Sequence, residues 1–215
     1  GAIMYVTLEP CFHSSQNGSC TDQILRSGIK EIYISCIDQD PRTKHKSISK
    51  LKRNKIKVIT GIEKDKTISI INFFFKSLKK KKPFTKVKMA ISNDDKIAWS
   101  NYKSKWITNS KSRSYVHSLR LKSQAILTTS KTIIKDEPRF TARKKNKIIK
   151  NMNVVIIDKN LKTPLNTNLF KKLHERRVII FTSKNNFKSQ KLKQIGCEII
   201  EMKVENNKLN LKKVF

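Results

Sequence analysis

The sequence predicts an α/β protein built of two consecutive domains, residues 1–82 and 83–215. Three observations carry that prediction. Short β-rich runs alternate with capped, amphipathic stretches at the spacing of β-α-β crossovers, which implies largely parallel sheets. The alternation breaks once, at the lysine run 79–82 and Pro83, and then restarts. No apolar run approaches the roughly 20 residues of a membrane span, so no membrane partner is expected.

In chain order, "IMYVTL" (3–8) reads as a buried strand and "TDQILRSG" (21–28) as a helix capped near Thr21 or Asp22 and ended by Gly28. "EIYISCI" (31–37) is a second strand, "SISKLKRN" (47–54) a short helix and "IKVITG" (56–61) a third strand. "DKTISIINFFFKSLKKKK" (65–82) reads as one longer helix whose Ile and Phe stripe is expected to face a core. Its terminal lysines suit a helix C-terminus, and Pro83 stops the pattern. The second half restarts with an expected strand, "FTKVKMAIS" (84–92), then a helix over 108–123 and a strand "QAILTT" (124–129). Further on, strands are expected at 153–158, 177–183 and 197–204, with helices near 165–174 and 187–195. "LNLKKVF" (209–215) looks like the beginning of a helix, so the sheet is expected to be completed by chain beyond Phe215. Gly1 in place of a methionine likewise predicts a chain that begins inside a longer product or follows a removed segment.

The formal net charge is +32, from 48 basic and 16 acidic residues. Such an excess is the signature of a polyanion partner. Its composition argues otherwise: 39 of the cations are Lys and 9 are Arg, spread along the whole chain, and Gly and Ala number only five each. Dedicated phosphate readers favour the bidentate guanidinium. The pattern matches A/T-rich codon usage better, and no specific nucleic-acid partner is expected. Four cysteines without a secretory signal suggest a reducing, cytoplasmic setting. Cys36 and Cys197 lie in apolar strand-like runs and are expected in the core.

Cys11 and Cys20 differ, because they flank a polar loop in "YVTLEPCFHSSQNGSC" (5–20). Hydrolytic zinc sites of deaminases take thiolates from a Pro-Cys turn and use a nearby glutamate to move protons. Here "EPC" follows a strand directly, which places Cys11 at the sheet's carboxyl end, where α/β sites form. His13 stands too close to Cys11 to complete the same turn. Glu9 is placed to orient the turn rather than to shuttle protons. No H-x-E sequence occurs in the chain.

At these residues the sequence resembles the bifunctional riboflavin-biosynthesis deaminase/reductase family. "GAIMYVTLEPCFH" follows the family's G-A-T-x-Y-V-T-L-E-P-C-S-H, with the second cysteine nine positions after the first. "KPFTKVKMAIS" resembles the strand that opens the reductase domain, and "SKWIT" (104–108) matches S-x-W-I-T. "VHSLRLKSQAILTTSKTIIKDEPRFTAR" (116–143) follows V-x-x-L-R-A-x-S-D-A-I-L-x-G-x-x-T-V-x-x-D-x-P-x-L-T-x-R. The resemblance implies a cytidine-deaminase-like three-layer domain over 1–82, then a dihydrofolate-reductase-like α/β domain over 83–215. It implies zinc-dependent deamination of a diaminopyrimidinone ribosylamine phosphate and NADPH-dependent reduction of the product to its ribityl form. Carried over, Cys11 and Cys20 are zinc ligands, and Ala90, Trp106, Thr132 and Asp136 are cofactor-binding positions. Ser104, Arg120, Phe140 and Arg143 fall on substrate-binding positions, with Phe140 where the family has Leu. The family's remaining zinc ligand and catalytic glutamate lie in an H-A-E motif expected upstream of Gly1, and a homodimer is expected.

The departures are specific. The loop between the cysteines is "SQNGS" (15–19) in place of G-R-T-P-P. "DQDPRTKHKS" (38–47) loses both glycines of D-P-N-P-x-V-x-G-x-G, and "SNDD" (92–95) puts Asp95 where glycine usually permits positive φ. Two other classes of function stay open on sequence grounds: a nucleic-acid-binding or nucleic-acid-editing deaminase-like protein, and a homologue that keeps the fold without the chemistry.

Overall fold

The computed structural model describes residues 1–14, 18–101, 106–145 and 147–215. They form two compact units, Gly1–Val87 and Lys88–Phe215. Both are mixed α/β with parallel sheets.

In the first unit, β1 (Ala2–Leu8), β2 (Ile29–Cys36) and β3 (Lys57–Thr60) make a parallel sheet in the order β1-β2-β3. The helices α1 (Cys20–Arg26) and α2 (Lys46–Arg53) connect them. The core is Ile24, Ile32, Ile34, Ile48, Leu51 and Ile56. Each such side chain contributes roughly 1.5–3 kcal/mol by leaving water. Helix α3 (Lys64–Lys80) closes the unit and ends at Lys81, whose φ of 51° places it in the left-handed region. Its stripe was expected in a core, and here the structure differs. Only Thr67 is buried, while Ile70 is 68% and Phe73 53% exposed. The helix meets β2 near its first turns, where Ser35 donates to Thr67 Oγ1 at 2.7 Å. The three-stranded sheet is too narrow to cover the rest of a seventeen-residue helix.

The second unit holds β4 (Ala125–Thr129), β7 (Asn153–Ile157), β8 (Val178–Thr182) and β9 (Glu198–Glu201), paired in that order and all parallel. Helix α4 (Ser110–Leu121) precedes β4, α5 (Ser130–Asp136) follows it at once, and α6 (Phe187–Gln194) joins β8 to β9. Between α5 and β7 stands an antiparallel hairpin of β5 (Thr141–Lys144) and β6 (Lys147–Asn151). A small hairpin of β10 (Val204–Glu205) and β11 (Lys208–Leu209) follows the sheet. Ile133, Val154, Ile156, Val178, Ile180, Leu192 and Cys197 lie in one buried cluster. Cys36 and Cys197 are buried as expected, and burial pushes the Cys197 thiol up to about 12.

Three further expectations are corrected. Residues 84–92 form no strand; Val87 and Met89 are 84% and 67% exposed. An alternating pattern makes a strand only where a neighbour completes the ladder. The segments near 165–174 and 209–215 are not α-helices but 3₁₀ turns at Phe170–Glu175 and Leu211–Lys213. Helix α5 and the β5–β6 hairpin carried no expectation. The β-branched run "TII" hid the helix, and only the cap reveals it: Thr129 Oγ1 accepts from the Thr132 N–H at 3.5 Å.

Candidate functional sites

In the first unit the loops after β1 and β2 are tied together by one carboxylate. Glu9 is 2% exposed. Its Oε2 accepts from the backbone N–H groups of Asp38 (3.2 Å) and His45 (3.1 Å), and its Oε1 accepts from the Ser47 hydroxyl (2.7 Å). The Glu9 N–H donates to the Cys36 carbonyl at 2.8 Å, so the turn "EPC" grows straight out of the sheet. A buried carboxylate with several donors is the only affordable form of such a charge. The expectation that Glu9 orients its turn holds, and the turn it orients includes the whole 38–47 loop. His45 takes a left-handed conformation there, φ 61°, at the position where the family pattern has glycine.

Cys11 and Cys20 converge. The Cys20 N–H points at the Cys11 Sγ at 3.2 Å, and Thr21 donates to the Cys11 carbonyl through both N–H (3.2 Å) and Oγ1 (2.8 Å). Ser19 caps α1, accepting from the Asp22 N–H. The Cys20 thiol is raised by its contact with the Cys11 sulfur and by burial. Cys11 and Cys20 line a groove of about 510 Å³ together with Met4, Val6 and Leu8 of β1. His13 turns elsewhere: its Nδ1 lies 3.3 Å from the Thr43 hydroxyl, which also accepts from the Phe12 N–H. Two thiols fit half of a tetrahedral zinc site. Among the described residues no group of three His, Cys, Asp or Glu side chains stands ready to hold a metal.

In the second unit, Thr132 and Asp136 are exposed and one helical turn apart on α5, the helix that starts at the carboxyl end of β4. Ala90 is half-buried in the unpaired segment after Lys88. Trp106 is 72% exposed with the Arg113 guanidinium 4.3 Å from its ring centroid. Ser104 lies outside the described residues. Phe140 is 6% exposed with φ 47°; its side chain packs in the core and its carbonyl accepts from the Met152 N–H at 2.9 Å. The Phe140 ring is therefore turned into the core, and a substrate contact at this position would be made by its backbone.

Arg120 and Arg143 do meet. Arg120 Nη1 donates to the Thr141 carbonyl at 2.9 Å, and Arg143 Nε donates to the Thr141 hydroxyl at 3.1 Å. The Arg143 N–H donates to His117 Nδ1 at 3.3 Å. Burial and the neighbouring Arg143 lower the Arg120 pKa, and burial with both arginines lowers that of His117. Among the described residues neither guanidinium has a carboxylate partner. The sequence marks the two arginines as substrate positions, gives Thr141 no role, and reads His117 only as a surface or helix position; the bond from Arg143 draws His117 into the cluster. Asp158 was missed too: it is 2% exposed at the end of β7 and accepts from the Lys162 and Thr163 N–H groups at 2.8 Å each.

The chain is similar to known proteins along most of its length. A riboflavin biosynthesis protein RibD of Aquifex aeolicus is 36% identical over 218 aligned residues, covering 100% of this chain and 60% of that protein. The RibD protein of Actinobacillus pleuropneumoniae is 30% identical over 98% of this chain and 56% of its own length. Among solved structures, a Thermotoga maritima diaminohydroxyphosphoribosylaminopyrimidine deaminase/5-amino-6-(5-phosphoribosylamino)uracil reductase superposes with a TM-score of 0.72 at 35% identity, over 85% of this chain and 51% of that one. Acinetobacter baumannii RibD superposes with a TM-score of 0.79 at 28% identity, over 93% and 56%. The chain therefore spans little more than half the length of these relatives. The model of the RibD C-terminal domain matches residues 83–215, the unit that carries the arginine pair, and the chain belongs to that family.

Proposed function

We propose that residues 83–215 act as the reductase part of a riboflavin-biosynthesis enzyme, reducing the ribosyl group of 5-amino-6-(5-phosphoribosylamino)uracil to ribityl with NADPH. The observation that carries this reading is the half-buried pair Arg120 and Arg143, unpaired by any carboxylate among the described residues, within the matched region. Two guanidiniums held together at such a cost suit a phosphate monoester. NADPH supplies the hydride when bound. Thr132 and Asp136 offer a hydroxyl and a carboxylate on α5, the helix that leaves the carboxyl end of β4, the edge where open α/β sheets take nucleotides. Trp106 is 72% exposed, and the indole face that the Arg113 guanidinium does not cover suits a planar ring. A homodimer is the assembly the resemblance implies.

For residues 1–82 the reading is a zinc deaminase domain acting on the diaminopyrimidinone precursor. Cys11 and Cys20 would hold two zinc positions, and the remaining ligand and proton shuttle must come from other residues. Glu9 sets the loops around that site and stays out of the proton transfer.

The test is NADPH oxidation dependent on the phosphoribosylaminouracil. Arg120→Ala and Arg143→Ala should each raise KM about tenfold or more, since a bond to a charged group is worth roughly 1.5–3 kcal/mol. Unchanged KM in both variants would remove the phosphate assignment.

A further inference from the structure

We propose that Thr141 is the positioning residue of the anion site, braced by His117. This rests on the assignment of Arg120 and Arg143 to the substrate phosphate. Two like charges side by side repel, and each left free would swing into solvent. Thr141 binds both with different atoms. Its carbonyl fixes Arg120 on α4, and its hydroxyl fixes Arg143 on the same strand. Thr141 is only 4% exposed and opens β5 opposite Asn151, so it is itself a rigid reference point. The pairing register of the hairpin shifts between Ala142 and Arg143, the kind of irregularity that re-aims a side chain beside a site.

His117 supplies the third constraint. It stands three residues before Arg120, on the same face of α4. By accepting the Arg143 N–H it joins that helix to the strand. Helix and strand are thereby stitched at two places, Arg120 to Thr141 and His117 to Arg143. The guanidinium pair is held without an acidic residue between the two among the described residues. That absence matters, because a carboxylate holding them would compete with the incoming phosphate.

Neither role follows from burial alone. A merely structural Thr141 would tolerate valine, which matches its shape and branching. A positioning Thr141 tolerates serine instead, which keeps the hydroxyl. The experiment is titration of the full 215-residue chain with ribose 5-phosphate, followed by calorimetry, with ribose as the uncharged control. Arg120→Ala, Arg143→Ala, Thr141→Val, Thr141→Ser, His117→Ala and His117→Gln are compared.

Thr141→Val and His117→Ala should weaken ribose 5-phosphate binding about tenfold. Thr141→Ser and His117→Gln, which retain a hydroxyl and an acceptor, should stay within about threefold of the parent chain. If the arginine variants lose binding while Thr141→Val and His117→Ala keep it, the positioning role is wrong and the phosphate assignment survives. If the arginine variants also bind normally, or the parent chain does not prefer ribose 5-phosphate to ribose, the assignment falls and the positioning role falls with it. Should Thr141→Val fail to fold, the His117 pair decides, because equal binding by His117→Ala and His117→Gln overturns the brace.

Discussion

Replacing Glu9 is the sharpest perturbation the first unit offers. Its carboxylate satisfies three donors from three residues of the 38–47 segment, two of them backbone N–H groups. Glu9→Ala strands the Asp38 N–H and the Ser47 hydroxyl in a buried site, while the part-buried His45 N–H can turn to water. Each unsatisfied buried donor costs about 1–3 kcal/mol, so the variant should lose roughly 2–6 kcal/mol. That is a large share of the roughly 5–15 kcal/mol that holds a domain folded. Glu9→Gln is different in kind. The amide oxygen can face the Asp38 and His45 N–H groups, and the amide NH₂ can face Ser47, whose hydroxyl rotates to accept. Three bonds survive as neutral ones, each weaker by about 1 kcal/mol than a bond to a charge, giving a loss of roughly 1–3 kcal/mol. Urea unfolding monitored by far-ultraviolet dichroism measures both. Amide exchange at Asp38 and His45 localises the effect, and should accelerate strongly in Glu9→Ala and modestly in Glu9→Gln. Equal losses for the two variants, or a Glu9→Ala loss under about 1 kcal/mol, would refute the claim that this carboxylate organises the loop.

Two further outcomes follow from backbone and charge. His45 and Asp95 hold φ near 61° at positions where the family pattern has glycine, a conformation costing an L-residue about 1–2 kcal/mol. After the extra chain entropy of glycine, His45→Gly should stabilise by about 0.5–1 kcal/mol, raising Tm by about 2–4 °C, while His45→Ala should not. A calorimetric scan in which the two variants melt together would count against backbone strain as the cause. His117 should titrate below its ordinary 6.5, because burial and then Arg120 and Arg143 disfavour its charged form. The unfolded chain then binds the proton first. The stability His117 contributes is complete above pH 6.5 and falls away as pH drops from there through its lowered folded value. NMR titration of the imidazole reads this directly, and a value at or above 6.5 would contradict it.

Much of this architecture is legible in the amino-acid order. The strands at 3–8, 31–37 and 153–158 and the helices over 47–54 and 108–123 are local periodicities that survive folding within a residue or two. The paired thiols also show in the sequence, because Pro10 and the capped helix at Cys20 bend the chain back on itself locally. The two arginines, 23 positions apart, are marked by motif and not by pattern. Nothing in composition says that they meet.

Segment 84–92 shows the converse failure. Its alternation is that of a strand, yet a strand exists only through its neighbour, and here no ladder forms. The α3 stripe fails for the same reason, since amphipathicity states which face prefers burial and not whether anything covers it.

By itself, the sequence determined the α/β class, the order of the parallel strands' segments, the buried Cys36 and Cys197, and the family to which residues 83–215 belong. Those properties depend on neighbours within a turn or a strand. Only the tertiary structure decided that Glu9 anchors a segment some 30–40 positions away, that Thr141 stands between two arginines, and that the Phe140 ring turns into the core. Each of these depends on chain segments that meet through long-range pairing, where hydrogen-bond reach of about 3 Å selects partners that sequence distance conceals.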